Sequence, residues 1–134
     1  MSTNTPAPST SKALVWTGRV ISALPVLMLV MSGVMKIAKP EMVVKGFAEL
    51  GFPDSIAQGL GVTELVCTIL YVIPQTSVLG AILLTGYLGG ATAAHVRLGQ
   101  PFMPPVIFGV LVWLGLYLRD RRISALIPFR SIQP

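Results

Sequence analysis

The sequence predicts an all-α integral membrane protein: an antiparallel four-helix bundle with a short amphipathic surface helix between its first and second spans. Three observations predict it. Just over half of the 134 residues are hydrophobic and only 11% are charged, whereas a soluble domain carries about a quarter. The apolar residues gather in four runs set apart by charged or proline-bearing segments, which is how bilayer-crossing helices are written. The third run carries Gly86, Gly90 and Ala94 at intervals of four. Small residues so spaced stack on one helix face and let transmembrane helices approach closely where lipid gives them no hydrophobic reason to associate.

Residues 1–12 form an N-terminal tail. Its MSTNTPAPSTS is rich in Ser, Thr and Pro, has little to bury and is expected to be disordered. A single membrane domain follows over residues 13–128. Span one is placed at residues 14–37, with Lys36 and Lys39 at its exit and Pro40 as its stop. Pro25, inside the span, is expected to kink the helix or free a carbonyl. No convincing A-x-A site follows the run, so it reads as an uncleaved span.

The segment KPEMVVKGFAELGFPD is too polar and too short to cross. Met42, Val43, Phe47 and Leu50 recur at helical spacing opposite Lys45 and Glu49, a pattern suited to a helix lying on the membrane surface. Span two is placed at 55–73. The turn Pro74-Gln75-Thr76-Ser77 joins it to span three, at 78–96, so tightly that the two are antiparallel neighbours. A proline-rich loop leads to span four, at 104–118, with Trp113 and Tyr117 placed as interface aromatics. Residues 129–134 form the C-terminal tail.

Four spans leave both termini on one side. That side carries Lys12, Arg19, Arg119, Arg121, Arg122 and Arg130, against Lys36, Lys39, Lys45 and Arg97 on the other. Six against four places the termini in the cytoplasm by the positive-inside rule. The net charge of +5 comes from these scattered span-end residues. No basic stripe with interleaved aromatics is present, which excludes the usual nucleic-acid footprint. Cys67 is the sole cysteine and His95 the sole histidine, so neither a dithiol nor a metal cluster can be assembled, and no metal site is expected. No Walker motif and no Gly-x-Ser-x-Gly elbow occurs, and a non-catalytic protein is expected.

The sharpest residue is Glu64, an acid near the middle of span two. A carboxylate at the bilayer centre must be neutral, paired or hydrated in a cavity. Thr68 and Tyr71 fall on its helix face and make a polar stripe directed inward. Glu64 is either a proton-handling or ligand-orienting group, or one half of a structural ion pair with Arg19, Lys36 or His95. Arg19 itself either snorkels to the interface or turns inward to pair with an acid. His95 is either an acid–base group or a helix-end residue facing the C-terminal dipole and the headgroups. Arg97 and Lys36 read first as interface anchors. The ligand-binding or proton-handling candidates are therefore Glu64, His95, Lys36, Arg97, Tyr71 and Arg19, with Gly86, Gly90 and Ala94 as the closest helix contact.

The chain resembles the DoxX-like family of small membrane proteins. The features that carry the likeness are SGVMKIAKP at the end of span one, GVTELVCTILYVIP around the acid, GYLGGATAAHVRLGQP closing span three, and GLYLRDRRISALIP after span four. They extend from Trp16 to Pro128. The resemblance implies a compact bundle in the bacterial inner membrane, with relatives associated with membrane oxidoreductase complexes, one branch being similar to a subunit of a thiosulfate:quinone oxidoreductase. By position it carries over Lys36, Glu64, His95 and Arg97. A lone cysteine leaves any redox role to a quinone or to a partner subunit.

Three functions are compatible with these features. One is a non-catalytic membrane subunit or scaffold of a redox or stress-response complex. Another is a quinone- or lipid-binding protein using Glu64, His95 and Tyr71. The last is a proton-linked transporter in which Glu64 changes protonation, which predicts a water path and a dimer because four spans make a thin transporter. The lipid bilayer is the expected partner, with a membrane oxidoreductase or a second copy of the chain as the protein partner considered.

Overall fold

The computed structural model describes residues 11–130 and Ile132. Most of the N-terminal tail, residues 1–10, and residues 131, 133 and 134 of the C-terminal tail lie outside the described residues. Every regular element among those described is helical.

Helix α1 (Lys12–Ala38) runs without interruption through the buried Pro25. It ends at Lys39, whose left-handed backbone (φ 52°) turns its N–H back onto the Met35 carbonyl. The Lys39 ammonium reaches Asp54 at 3.4 Å. Helix α2 (Glu41–Glu49) ends at Gly51, at φ 77°, where the Phe52 N–H returns to the Phe47 carbonyl at 2.9 Å. Gly51 thereby closes the helix as a left-handed glycine cap, two residues before Pro53. A 3-10 turn at Asp54–Ile56 leads into α3 (Ala57–Val72), and another at Pro74–Thr76 into α4 (Ser77–Arg97). Helix α5 (Met103–Arg119) carries Pro104 and Pro105 in its first turn, where a missing N–H costs nothing. Asp120 then caps the short α6 (Arg121–Ser124) by accepting from the Arg122 N–H. Hydrogen bonds from Arg122 hold the Asp120 carboxyl below the usual carboxylate range.

The stretches Lys12–Ala38, Asp54–Val72 and Pro74–Arg97 are long and apolar enough to cross a membrane; Met103–Arg119 is apolar and shorter, at 17 residues. Helices α1, α3, α4 and α5 occupy the four apolar runs of the sequence. Helix α2 lies between the first two of these stretches. Phe47 is buried and Leu50 half-buried, both turned against the protein, while Met42 stays exposed. Its apolar face is divided between the protein interior and the outside.

Helix α1 packs on α3 and α5, and α4 packs on the same two. Close approaches between these helices occur at glycines. A Cβ on Gly33 would meet the Leu65 side chain and the Gly61 carbonyl, and one on Gly18 would meet Gly115 and the Arg119 backbone. Gly80 lies against the Tyr71 backbone at the start of α4. The expected contact strip is a different matter. A Cβ on Gly86 or Gly90 would find nothing within 4 Å, and Ala94 is half-buried on the same open side. These residues face a hollow and not a neighbouring helix, because the contact that brings α4 onto α3 lies further back, at Gly80.

The molecule thus has a solid end and a hollow end. Tyr71, Leu84, Val112 and Leu116 fill the solid end and are almost wholly buried. The Tyr71 hydroxyl donates to the Val112 carbonyl at 2.7 Å and lies 3.0 Å from Ser22 Oγ. Trp113 is tied in beside them, its indole N–H donating to Thr85 Oγ1 at 2.7 Å. It is a polar clasp between α4 and α5 as well as an aromatic of the span.

Candidate functional site

An apolar run cannot accept a bare carboxylate, so the surroundings of Glu64 decide what the hollow end can do. Glu64 is 2% exposed and points inward from α3. Lys36 Nζ, from the last turns of α1, reaches its Oε2 at 2.6 Å. The ammonium also donates to Ser32 Oγ at 2.6 Å, one helical turn back, and Ser32 lies 3.3 Å from the same carboxylate oxygen. From α4 the Tyr87 hydroxyl donates to Oε2 at 3.1 Å. Lys36 lies over the Tyr87 ring at 5.8 Å from its centroid. Three helices therefore converge on one oxygen. The meeting of Gly33 with Gly61 brings α1 and α3 close enough to make the Lys36–Glu64 bond.

This cluster borders a cavity of about 700 Å³, within the range of about 300–1,000 Å³ of small-ligand pockets. All four long helices line it. Leu29 comes from α1, Leu60 from α3, Ala91 from α4 and Phe108 from α5. Phe47 and Leu50 of α2 and the following Phe52 close its end. An apolar chamber with a few convergent polar groups is the usual form of a small-molecule site.

Arg97 fastens that closure. Its Nη2 donates to the Leu50 carbonyl at 3.0 Å, and its guanidinium stands 5.8 Å from the Phe52 ring centroid. The residue expected as an interface anchor is a strap between α4 and the cap. Replacing Arg97 with Gln is expected to loosen the cap by about 1–2 kcal/mol, the sum of one hydrogen bond and one exposed cation–π contact. Amide hydrogen exchange should then rise across residues 41–56 and stay unchanged in α5; uniform exchange throughout would contradict a local strap.

The remaining candidates divide. His95 lines the cavity, but its Nδ1 pairs with the Ala91 carbonyl of its own helix at 2.7 Å. Lys36, and neither His95 nor Arg19, is the partner of Glu64. Arg19 is exposed and lies over the Trp16 ring at 5.2 Å. Tyr71 shares a helix face with Glu64, but its hydroxyl is engaged in the solid end with Val112 and Ser22. It belongs to the core and not to the cavity, because seven residues carry it two turns away along α3. Tyr87 and Ser32 are the site residues that sequence reasoning missed. Tyr87 stands three, four and seven residues before Gly90, Ala91 and Ala94, so it shares their face, and that spacing was a usable signal. Among the described residues, no group of three or more His, Cys, Asp or Glu side chains is placed to hold a metal.

The sequence model described as the DoxX-like family matches residues 20–115, which include Lys36, Glu64 and Tyr87. No curated protein and no solved structure matches the chain.

Proposed function

From the premise that the chain belongs to the DoxX-like family, we propose that it crosses the membrane as an antiparallel four-helix bundle and binds a small apolar molecule, such as a quinone or lipid, beside the Lys36–Glu64 pair. The cavity is the observation that carries this function. A scaffold or passive subunit of a redox complex has no use for a chamber of about 700 Å³ facing a buried ion pair. A proton-linked transporter needs a water path through both ends, and Tyr71, Leu84, Val112 and Leu116 fill one of them. Opposed residue pairings favour antiparallel packing: Ser22 lies by Tyr71 while Lys36 lies by Glu64, and Thr85 lies by Trp113 while Leu88 lies by Gly109.

The charge count favours cytoplasmic termini in a bacterial inner membrane. The cavity, at the opposite end from Gly18 and Arg119, then belongs to the outer half of the bilayer. The ligand is held non-covalently; binding and presentation, with or without an oxidoreductase partner, is the activity.

The test is to plug the chamber. Gly90 lines it and a Cβ there meets no neighbour within 4 Å. A Gly90→Leu protein is expected to fold as well as the parent or better, since leucine is the stronger helix former by about 0.5–1 kcal/mol. Native mass spectrometry after gentle extraction should show a small molecule on the parent and none on the variant. A ligand retained by Gly90→Leu at parent occupancy would remove the cavity from consideration.

A further inference from the structure

The polar cluster is lopsided. Lys36 Nζ, Ser32 Oγ and the Tyr87 hydroxyl all address Glu64 Oε2. Oε1 has no hydrogen-bond partner among the described residues. It is also not one of the fully shielded, partnerless side-chain atoms, which among the described residues are Nε and Nη2 of Arg119. Oε1 therefore borders open space, and the open space that Glu64 lines is the cavity. The Lys36 ammonium has three protons, of which one addresses Glu64 and one Ser32. A strong acceptor and a remaining donor thus stand side by side at one wall of an apolar chamber.

Chemistry narrows what can complete them. The lysine–carboxylate pair is neutral as a unit, so an anionic headgroup would meet Glu64 and a cationic one Lys36. A carbonyl oxygen can accept from Lys36 but has nothing to give Oε1. A hydroxyl does both, donating to the carboxylate while its oxygen accepts. Aromatic side chains line the same chamber, Phe47, Phe52, Tyr87 and Phe108 among them, and they suit a ring with offset or edge-on contact. A hydroxyl on an aromatic ring is also a stronger donor than an aliphatic one, and its bond to a carboxylate is charge-assisted.

We infer that the cavity selects a neutral lipophile with a phenolic hydroxyl, which donates to Glu64 Oε1 while its ring lies among the cavity's aromatic side chains. The inference rests on the binding function proposed above. It adds the class of headgroup and names Glu64 as the residue that reads it.

A matched set of probes tests it: durenol, its O-methyl ether and durene. All three are similar in their ring and methyl groups, and only durenol can donate. Calorimetric titration into the purified full chain in detergent, with the Gly90→Leu protein as the background for partition into micelles, should show durenol binding at least about tenfold tighter than the ether or durene, the effect of one hydrogen bond to a charged acceptor. Glu64→Gln should shrink that preference to a few-fold. If the Gln protein does not fold, the comparison of the three probes on the parent still decides. Equal binding of all three overturns the phenol assignment and leaves an apolar binding site standing. Binding of none above the plugged background overturns the binding function itself.

Discussion

Replacing Lys36 with methionine is expected to destabilise the protein by about 3–5 kcal/mol, the cost of leaving one member of a buried ion pair without the other. The two partners are not equally enclosed. Glu64 is 2% exposed, whereas the Lys36 side chain is 19% exposed. Removing the lysine strands a carboxylate at the wall of an apolar chamber, with only the Ser32 and Tyr87 hydroxyls as donors. Removing the charge at Glu64 strands an ammonium that still holds Ser32 and can shift toward the outside. Lys36→Met should therefore cost more than Glu64→Gln, and the double variant should cost less than the sum of the two. Reversible unfolding in mixed micelles, followed by circular dichroism, gives all three values. A Lys36→Met protein as stable as the parent would mean that the pair carries no weight in the fold.

That an acid in the middle of an apolar run turns inward toward polar partners was legible in the sequence, because apolar surroundings penalise a bare carboxylate. Which partner it finds was not. Arg19, Lys36 and His95 are each at a span end, and sequence spacing orders residues only within a helix. The choice of Lys36 depends on where α1 crosses α3, and Gly33 and Gly61 fix that crossing from two different runs. The same limit explains Tyr71. Its face was read correctly, but a face extends over several turns, and the hydroxyl two turns from Glu64 belongs to another layer of the molecule. The helical character of the long runs came through because length and apolarity carry it. The cavity did not, since an empty volume is a property of four helices together.

Gly80→Ala is expected to be among the most damaging single-methyl changes in this chain, although the spacing in the sequence singles out Gly86 and Gly90 and passes over Gly80. An added Cβ at Gly80 would fall on the Tyr71 backbone and close to the Leu70 carbonyl carbon. Backbone cannot rotate aside as the end of a side chain can, and the three-residue turn Pro74–Thr76 leaves α3 and α4 no slack to part. Overpacking of this kind costs about 1–3 kcal/mol in a core that can adjust, and the upper end or loss of the folded protein is expected here. Gly86→Ala and Gly90→Ala should instead be neutral or stabilising by up to about 1 kcal/mol, since each adds helix propensity where no atom lies within 4 Å. Thermal unfolding and folded yield of the three proteins, measured in one detergent, separate these outcomes. If Gly80→Ala melted with Gly86→Ala, the division of α4 into a packed start and an open end would be wrong. If they differ as expected, the small residues of α4 have two distinct purposes: Gly80 lets two backbones touch, while Gly86 and Gly90 keep open the space that faces Glu64.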